Sequence, residues 1–106
     1  MRAEKQPAVY MVANRYRGTI YIGVTSELWT RVCSHKNGTT PGFTSIYKAN
    51  RLIWYEHRQT MESAIRREKQ LKAWKRDWKI ELIEKMNSDW RDLHEEIDLL
   101  ATLVSD

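Results

Sequence analysis

Ala8-Val9-Tyr10-Met11-Val12-Ala13 and Thr19-Ile20-Tyr21-Ile22-Gly23-Val24, held apart by Asn14-Arg15-Tyr16-Arg17-Gly18, decide the fold. The outer runs are short, apolar and rich in β-branched and aromatic residues, whereas the segment between them is polar and ends in glycine. That is the pattern of a β-hairpin. Tyr10 and Tyr21 fall on its two strands, near enough across the ladder for both hydroxyls to approach one site. Gly23, directly after Ile22, predicts a close backbone approach near the end of the second strand.

Outward from the hairpin, Thr25 and Ser26 are suitable caps for a helix from about Glu27 to Lys36, which Asn37-Gly38 would close. A loop from Gly38 to Asn50 carries Tyr47 and Lys48, both able to reach a ligand. Leu52-Ile53-Trp54-Tyr55-Glu56 reads as a third strand, and Thr60 as the cap of a helix from Met61 to about Lys75. A further helix is predicted from Asp77 or Trp78 to Met86, with Asn87-Ser88-Asp89 as the turn into a last one. On that last helix Trp90, Leu93, Ile97, Leu100 and Val104 recur at steps of three and four and form one apolar stripe. The stripe is expected to dock on this chain, with a partner helix or a homodimer as the alternative. The predicted class is α+β, a small three-stranded antiparallel sheet flanked by helices. One domain is expected over residues 1–106, with a core at about 7–75 and a helical extension at about 76–106.

Composition narrows the function. A chain of 106 residues can bury one modest core, and 42% apolar residues with five Trp and five Tyr suffice to build it. No stretch approaches the roughly 18 apolar residues of a membrane span, and Met1-Arg2-Ala3-Glu4-Lys5-Gln6 has no apolar run behind its charges. A cytoplasmic location is expected. Cys33 is the single cysteine, which excludes an internal disulfide and a thiolate zinc site; packing is its expected role. The net charge of +4 is unevenly spread. Residues 1–79 carry 16 basic and 6 acidic side chains, whereas residues 80–106 carry 2 basic and 8 acidic. Only the first part is suited to meet phosphates.

Two helices then supply candidate chemistry. At 100° per residue, Met61, Ala64, Ile65 and Leu71 cluster within about 60° of Glu68, which places a carboxylate on the apolar face of its helix. Such a group needs a cation, a metal or a structural ion pair to offset its desolvation. On the earlier helix, Leu28, Arg31 and His35 share one stripe. A guanidinium one turn from an imidazole suits a phosphate, since Arg offers fork-shaped donors and His titrates near neutral pH. A solvated helix face is the alternative.

Taken in order, these motifs resemble the GIY-YIG nuclease superfamily. Ala8-Val9-Tyr10 is similar to the first motif with its leading glycine replaced, and Tyr21-Ile22-Gly23 matches the second intact. Arg31 and His35 match the helix that follows, and Ala64-Ile65-Arg66-Arg67-Glu68-Lys69-Gln70-Leu71-Lys72 looks like the helix carrying a metal-binding glutamate. The resemblance covers residues from about 7 to 75. Trp74, Trp78 and the run from Asn87 to Leu93 further resemble small stand-alone bacterial members, related to the amino-terminal domain of the nucleotide-excision repair nuclease.

The resemblance implies phosphodiester hydrolysis in nucleic acid, DNA more than RNA, with one divalent cation, Mg²⁺ or alternatively Mn²⁺, held by Glu68. It makes Tyr10 the group that deprotonates or positions the attacking water, Tyr21 and His35 its hydrogen-bonding support, and Arg31 the neutraliser of phosphate charge. A tyrosine base would need nearby cations to favour phenolate, and Arg31 with the metal is expected to provide them. Lys48, Arg15, Arg17, Arg66, Lys69 and Lys72 are the expected contacts to the nucleic-acid backbone. The competing reading is a nucleic-acid-binding module that assists repair or processing without efficient cleavage.

Overall fold

The hairpin forms because its apolar runs can bury both faces of a strand at once. In the computed structural model, which describes residues 6–38 and 48–97, β1 (Ala8–Ala13) is buried along its whole length and pairs antiparallel with β2 (Ile20–Thr25). β3 (Arg51–His57) pairs antiparallel with the other edge of β1, giving the order β2-β1-β3. A register irregularity between Met11 and Val12 bends that second ladder. The class is α+β, a three-stranded antiparallel sheet with helices on both faces.

Alternation along β1 assigns the two faces. Val9, Met11 and Ala13 join Ile22, Ile53 and Trp54 beneath α2 (Met61–Ala73) and α3 (Arg76–Met86), which contribute Ala64, Leu71 and Ile83. Ala8, Tyr10 and Val12 face the other way, against Leu28 and Val32 of α1 (Leu28–Asn37). Leu28, Val32 and His35 are the buried positions of α1, one stripe at helical spacing.

The helix boundaries follow local capping chemistry. Gly38 adopts a left-handed φ of 71° and closes α1 as expected. Thr60 accepts a hydrogen bond from the Ser63 amide at 3.0 Å and starts α2. At the start of α1, Thr25 Oγ1 accepts from the amide of Glu27 at 3.0 Å and turns the chain, and Glu27 occupies the cap position without capping the helix through its side chain. α2 stops at Ala73 rather than Lys75, because Trp74 takes an extended conformation.

Residues 90–93 depart from the expected last helix. Trp90 has a left-handed φ of 58°, and helical structure begins only at His94. The segment instead runs along the open edge of β3. Asn87 Nδ2 donates to the Ile53 carbonyl at 3.1 Å, the Leu93 amide to the Leu52 carbonyl at 2.8 Å, and the Leu52 amide to Asp92 Oδ1 at 3.1 Å. Trp90 is thereby delivered to the α2 and α3 face of the sheet and Leu93 to the α1 face. Docking on this chain is therefore what Trp90 and Leu93 do, through an extended wrap rather than a helical stripe. Leu100 and Val104 lie outside the described residues. With the β3 edge covered in this way, β2 forms the other margin of the sheet.

Candidate active site

Tyr10 sits in the central strand, but its ring reaches toward the β2 margin because the residue opposite it has no side chain. Gly23 is its register partner, and a Cβ built there would lie 2.5 Å from the Tyr10 hydroxyl. Any larger residue at position 23 would have to push that ring aside. The close approach expected of Gly23 is thus made by a tyrosine side chain rather than by a ligand.

Three rings meet over this gap. The centroid of Tyr10 lies 6.4 Å from that of Tyr21 and 5.6 Å from that of His35, and Tyr21 and His35 are 5.6 Å apart. Tyr10 Oη and His35 Nε2 are hydrogen-bonded at 2.9 Å, and His35 Nδ1 is buried with no partner among the described residues. A bare nitrogen lone pair is the cheaper group to leave unpaired, since orphaned buried N–H groups are the rarer and costlier case. The proton therefore belongs on Nε2, which donates to the tyrosine oxygen.

The electrostatics bear on two expectations from sequence. Tyr10 is 1% exposed, and its pKa is pushed above its ordinary value by burial first, with Tyr21 and Glu68 adding to the rise. Arg31 pulls the other way but is outweighed. In the metal-free protein, then, Tyr10 is a neutral phenol, because the cost of burying a phenolate exceeds what one guanidinium returns. His35 was expected to titrate beside phosphate. It is 5% exposed, and burial, then Arg31, hold its pKa below the ordinary value. It is a neutral imidazole devoted to Tyr10.

Arg31 is exposed, one turn before His35. It lines a depression of about 340 Å³ between the end of β2 (Val24, Thr25, Ser26), the α1 residues Glu27, Thr30 and Ser34, and Met61. Sequence reading passed over Thr30 and Ser34. Their signal was spacing, since Ser34 lies three residues after Arg31 and four after Thr30 on the same helix. Met61 and Ile65, expected on the apolar face, are 37% and 38% exposed. α2 is turned so that Ala64, Arg67, Glu68 and Leu71 face inward, and Arg67 Nε bonds Glu56 on β3 at 3.3 Å.

Glu68 belongs to the opposite face of the sheet from Tyr10, on a helix that packs against β2 and β1. Its side chain is 15% exposed, and it is close enough to Tyr10 to oppose ionisation there. Its partner is Lys72 Nζ at 3.2 Å, on an adjacent turn and itself 53% exposed. That partner is a solvated side chain free to swing away, so the carboxylate is not sealed in a structural pair. A divalent cation of the Mg²⁺ kind fits this donor set, because it takes one or two carboxylates and keeps much of its water. No group of three or more metal-ligating side chains occurs among the described residues, so Glu68 would act with water and substrate oxygen.

The residues expected to track the nucleic-acid backbone are scattered. Arg15 is exposed at the hairpin tip, and Arg66 and Lys69 on the outer face of α2. Arg17 is committed to Glu84, with Nε and Nη2 each 2.8 Å from a carboxylate oxygen. Lys48 is exposed with a φ of 56°, and no contact among the described residues ties it to the cluster. Cys33 packs beside His94, at 3.8 Å from Nε2.

His94 is stacked on Trp29 with centroids 3.8 Å apart, and its pKa, like that of His35, is lowered chiefly by burial. Both imidazoles stay neutral in the fold at a pH where the unfolded chain, near 6.5, takes up protons. Stability is therefore greatest above about pH 6.5 and is lost as pH falls toward the folded-state values. Urea midpoints from pH 7.5 to 5 should decline, and a His35→Gln, His94→Gln double variant should flatten the decline. A flat native profile would overturn this assignment.

Comparison with known proteins adds the remaining observation. A family model described as the GIY-YIG catalytic domain matches residues 6–81. A UPF0213 protein of Staphylococcus saprophyticus is 30% identical over 66 residues, covering 62% of this chain and 80% of the relative. A UPF0213 protein of Bacillus pumilus is 28% identical over 92 residues, covering 87% of this chain and 94% of the relative. No solved structure matches the chain.

Proposed function

The chain belongs to the GIY-YIG catalytic domain family, a membership that implies nuclease-type activity on nucleic acid, and from that premise we propose that it is a divalent-metal-dependent endonuclease, acting on DNA more than RNA. What supports this reading is the contact of Tyr10, Tyr21 and His35 near the β2 margin, with the charges of Arg31 and Glu68, from helices on opposite faces of the sheet, near enough to act on the Tyr10 hydroxyl. A packing cluster has no use for an exposed guanidinium near a buried phenol, or for a largely buried carboxylate paired with a solvated lysine.

In this reading Arg31 holds the scissile phosphate at the mouth of the depression and neutralises the charge that grows on its oxygens. Tyr10 would first give up its own phenolic proton to solvent; as phenolate it orients the attacking water and accepts its proton, and the Nε2 proton of His35 steadies the phenolate oxygen until that transfer neutralises it. Tyr21 packs on both rings and holds their geometry. Glu68 would hold Mg²⁺ or Mn²⁺, which would supply Lewis-acid polarisation of the phosphate, stabilise the leaving oxygen and offset the carboxylate charge that raises the Tyr10 pKa. Lys72, released from Glu68, is then available to the nucleic-acid backbone with Arg66 and Lys69. The same reading places the protein in the cytoplasm, in DNA repair or processing. No helix among the described residues is long and apolar enough to cross a membrane.

A cleavage panel tests the proposal. Single-stranded, duplex, flapped and branched DNA, with RNA counterparts, would be incubated with Mg²⁺, with Mn²⁺ and with chelator. At least one DNA substrate should be cut in either metal and none in chelator. Cleavage that persists in chelator would refute metal dependence. Binding without any cleavage would favour a binding module.

A further inference from the structure

Trp74, in the turn between α2 and α3, and Trp78, in the first turn of α3, are two tryptophans that the cluster does not use. Trp78 is 51% exposed, an unusual state for the largest apolar side chain. Its ring stands edge-on to that of Trp74, with centroids 6.0 Å apart. Each has its own cation. Lys75 Nζ lies 5.7 Å from the Trp78 centroid, and the Arg67 guanidinium 5.5 Å from that of Trp74. Residues 66–79 carry seven basic and two acidic side chains, so the aromatic pair is set in the most cationic stretch of the chain.

From this geometry we propose that Trp78, with Trp74 and Lys75, forms a stacking platform for an unpaired nucleobase of a bound strand, a contact separate from the cluster around Tyr10. The proposal rests on the nucleic-acid reading above and adds a preference for substrates with unpaired bases. An indole face offers a stacking surface that any base can use, and a neighbouring ammonium meets the phosphate that follows. A base inside a duplex is already stacked on both sides and has nothing to gain there. Trp74 ends the helix that carries Glu68, six residues further on and so about 9 Å along the axis. A strand held near Glu68 therefore reaches the platform within a few nucleotides. Charge complementarity selects nucleic acid over an apolar partner. The chain's own carboxyl-terminal segment is last described at Ile97, which packs on the α1 face, across the sheet from α3.

The test is equilibrium binding by the full chain, in chelator so that nothing is cut. The probes are a fluorescein-labelled dT16 oligonucleotide and a blunt 16-base-pair duplex. Trp78→Ala should weaken dT16 binding about tenfold and duplex binding less than twofold, and Trp78→Phe should restore most of the loss. Lys75→Ala should lower the salt dependence of dT16 binding by about one counterion, whereas Trp78→Ala should leave it unchanged. If Trp78→Ala binds dT16 as the native protein does, or loses dT16 and duplex equally, the platform is refuted. A native dimer in sedimentation velocity that Trp78→Ala abolishes would assign the patch to a second copy and also refute it. Native protein that binds neither probe would instead fail the nucleic-acid reading itself.

Discussion

Glu68→Gln is expected to lower the rate of phosphodiester cleavage in Mg²⁺ by at least about a hundredfold, with nucleic-acid binding in chelator retained. Glutamine keeps the shape of the side chain and removes the charge that would hold a cation. Lewis-acid assistance is worth several kcal/mol of barrier, and each ~1.4 kcal/mol is tenfold in rate. Stability should hardly move, because the partner lost among the described residues is the exposed Lys72, in a pair of the kind worth ~0.5 kcal/mol or less. Single-turnover rates beside a thermal melt separate the two effects. Cleavage by Glu68→Gln within a few-fold of the native rate would remove Glu68 from the chemistry. A cooperative melt lowered by many degrees would make it a structural residue.

The largest stability effect is expected at Trp90. Its side chain is fully buried, it packs among the residues beneath α2 and α3, and its indole Nε1 donates to Glu84 at 2.7 Å. Glu84 is held in turn by Arg17, so the indole closes a contact that ties α3 to the hairpin tip. Trp90→Ala should cost about 3–5 kcal/mol through the cavity it leaves. Small domains have about 5–15 kcal/mol in all, so this change brings the fold near its limit. Trp90→Phe should recover part of the loss by refilling the space without the hydrogen bond. The check is the unfolding free energy from urea titration. A loss under about 1 kcal/mol would contradict the role given to the wrap along β3.

That wrap is also where sequence reading went furthest astray. Trp90, Leu93 and Ile97 fit a helical stripe, but steps of three also suit an extended segment that crosses a sheet edge and sends one side chain to each face. Nothing local distinguishes the two, and the deciding interactions are those of Asn87 and Asp92 with the β3 backbone. By contrast, β1, β2, α1 and α2 were legible, because alternating apolar runs, a terminal glycine and the Thr60 cap are local signals. That Tyr10, Tyr21 and His35 lie side by side was legible through motif order and helix phase. Their electrostatic state was not. His35 shares its buried stripe with Leu28 and Val32, and Tyr10 leans over Gly23, so the depth of both depends on the strand register and on how α1 seats against the sheet.

The central claim is that the buried Tyr10, once its phenol has lost its proton to solvent, takes the proton of the attacking water. Tyr10→Phe isolates it, since only one oxygen is removed and the ring still fills the space over Gly23. The decisive measurement is the single-turnover cleavage rate of Tyr10→Phe against native protein, at saturating Mg²⁺ on whichever substrate the panel identifies. The account predicts a loss of about a hundredfold or more, with folding and binding intact. A Tyr10→Phe protein that cuts at the native rate would contradict it.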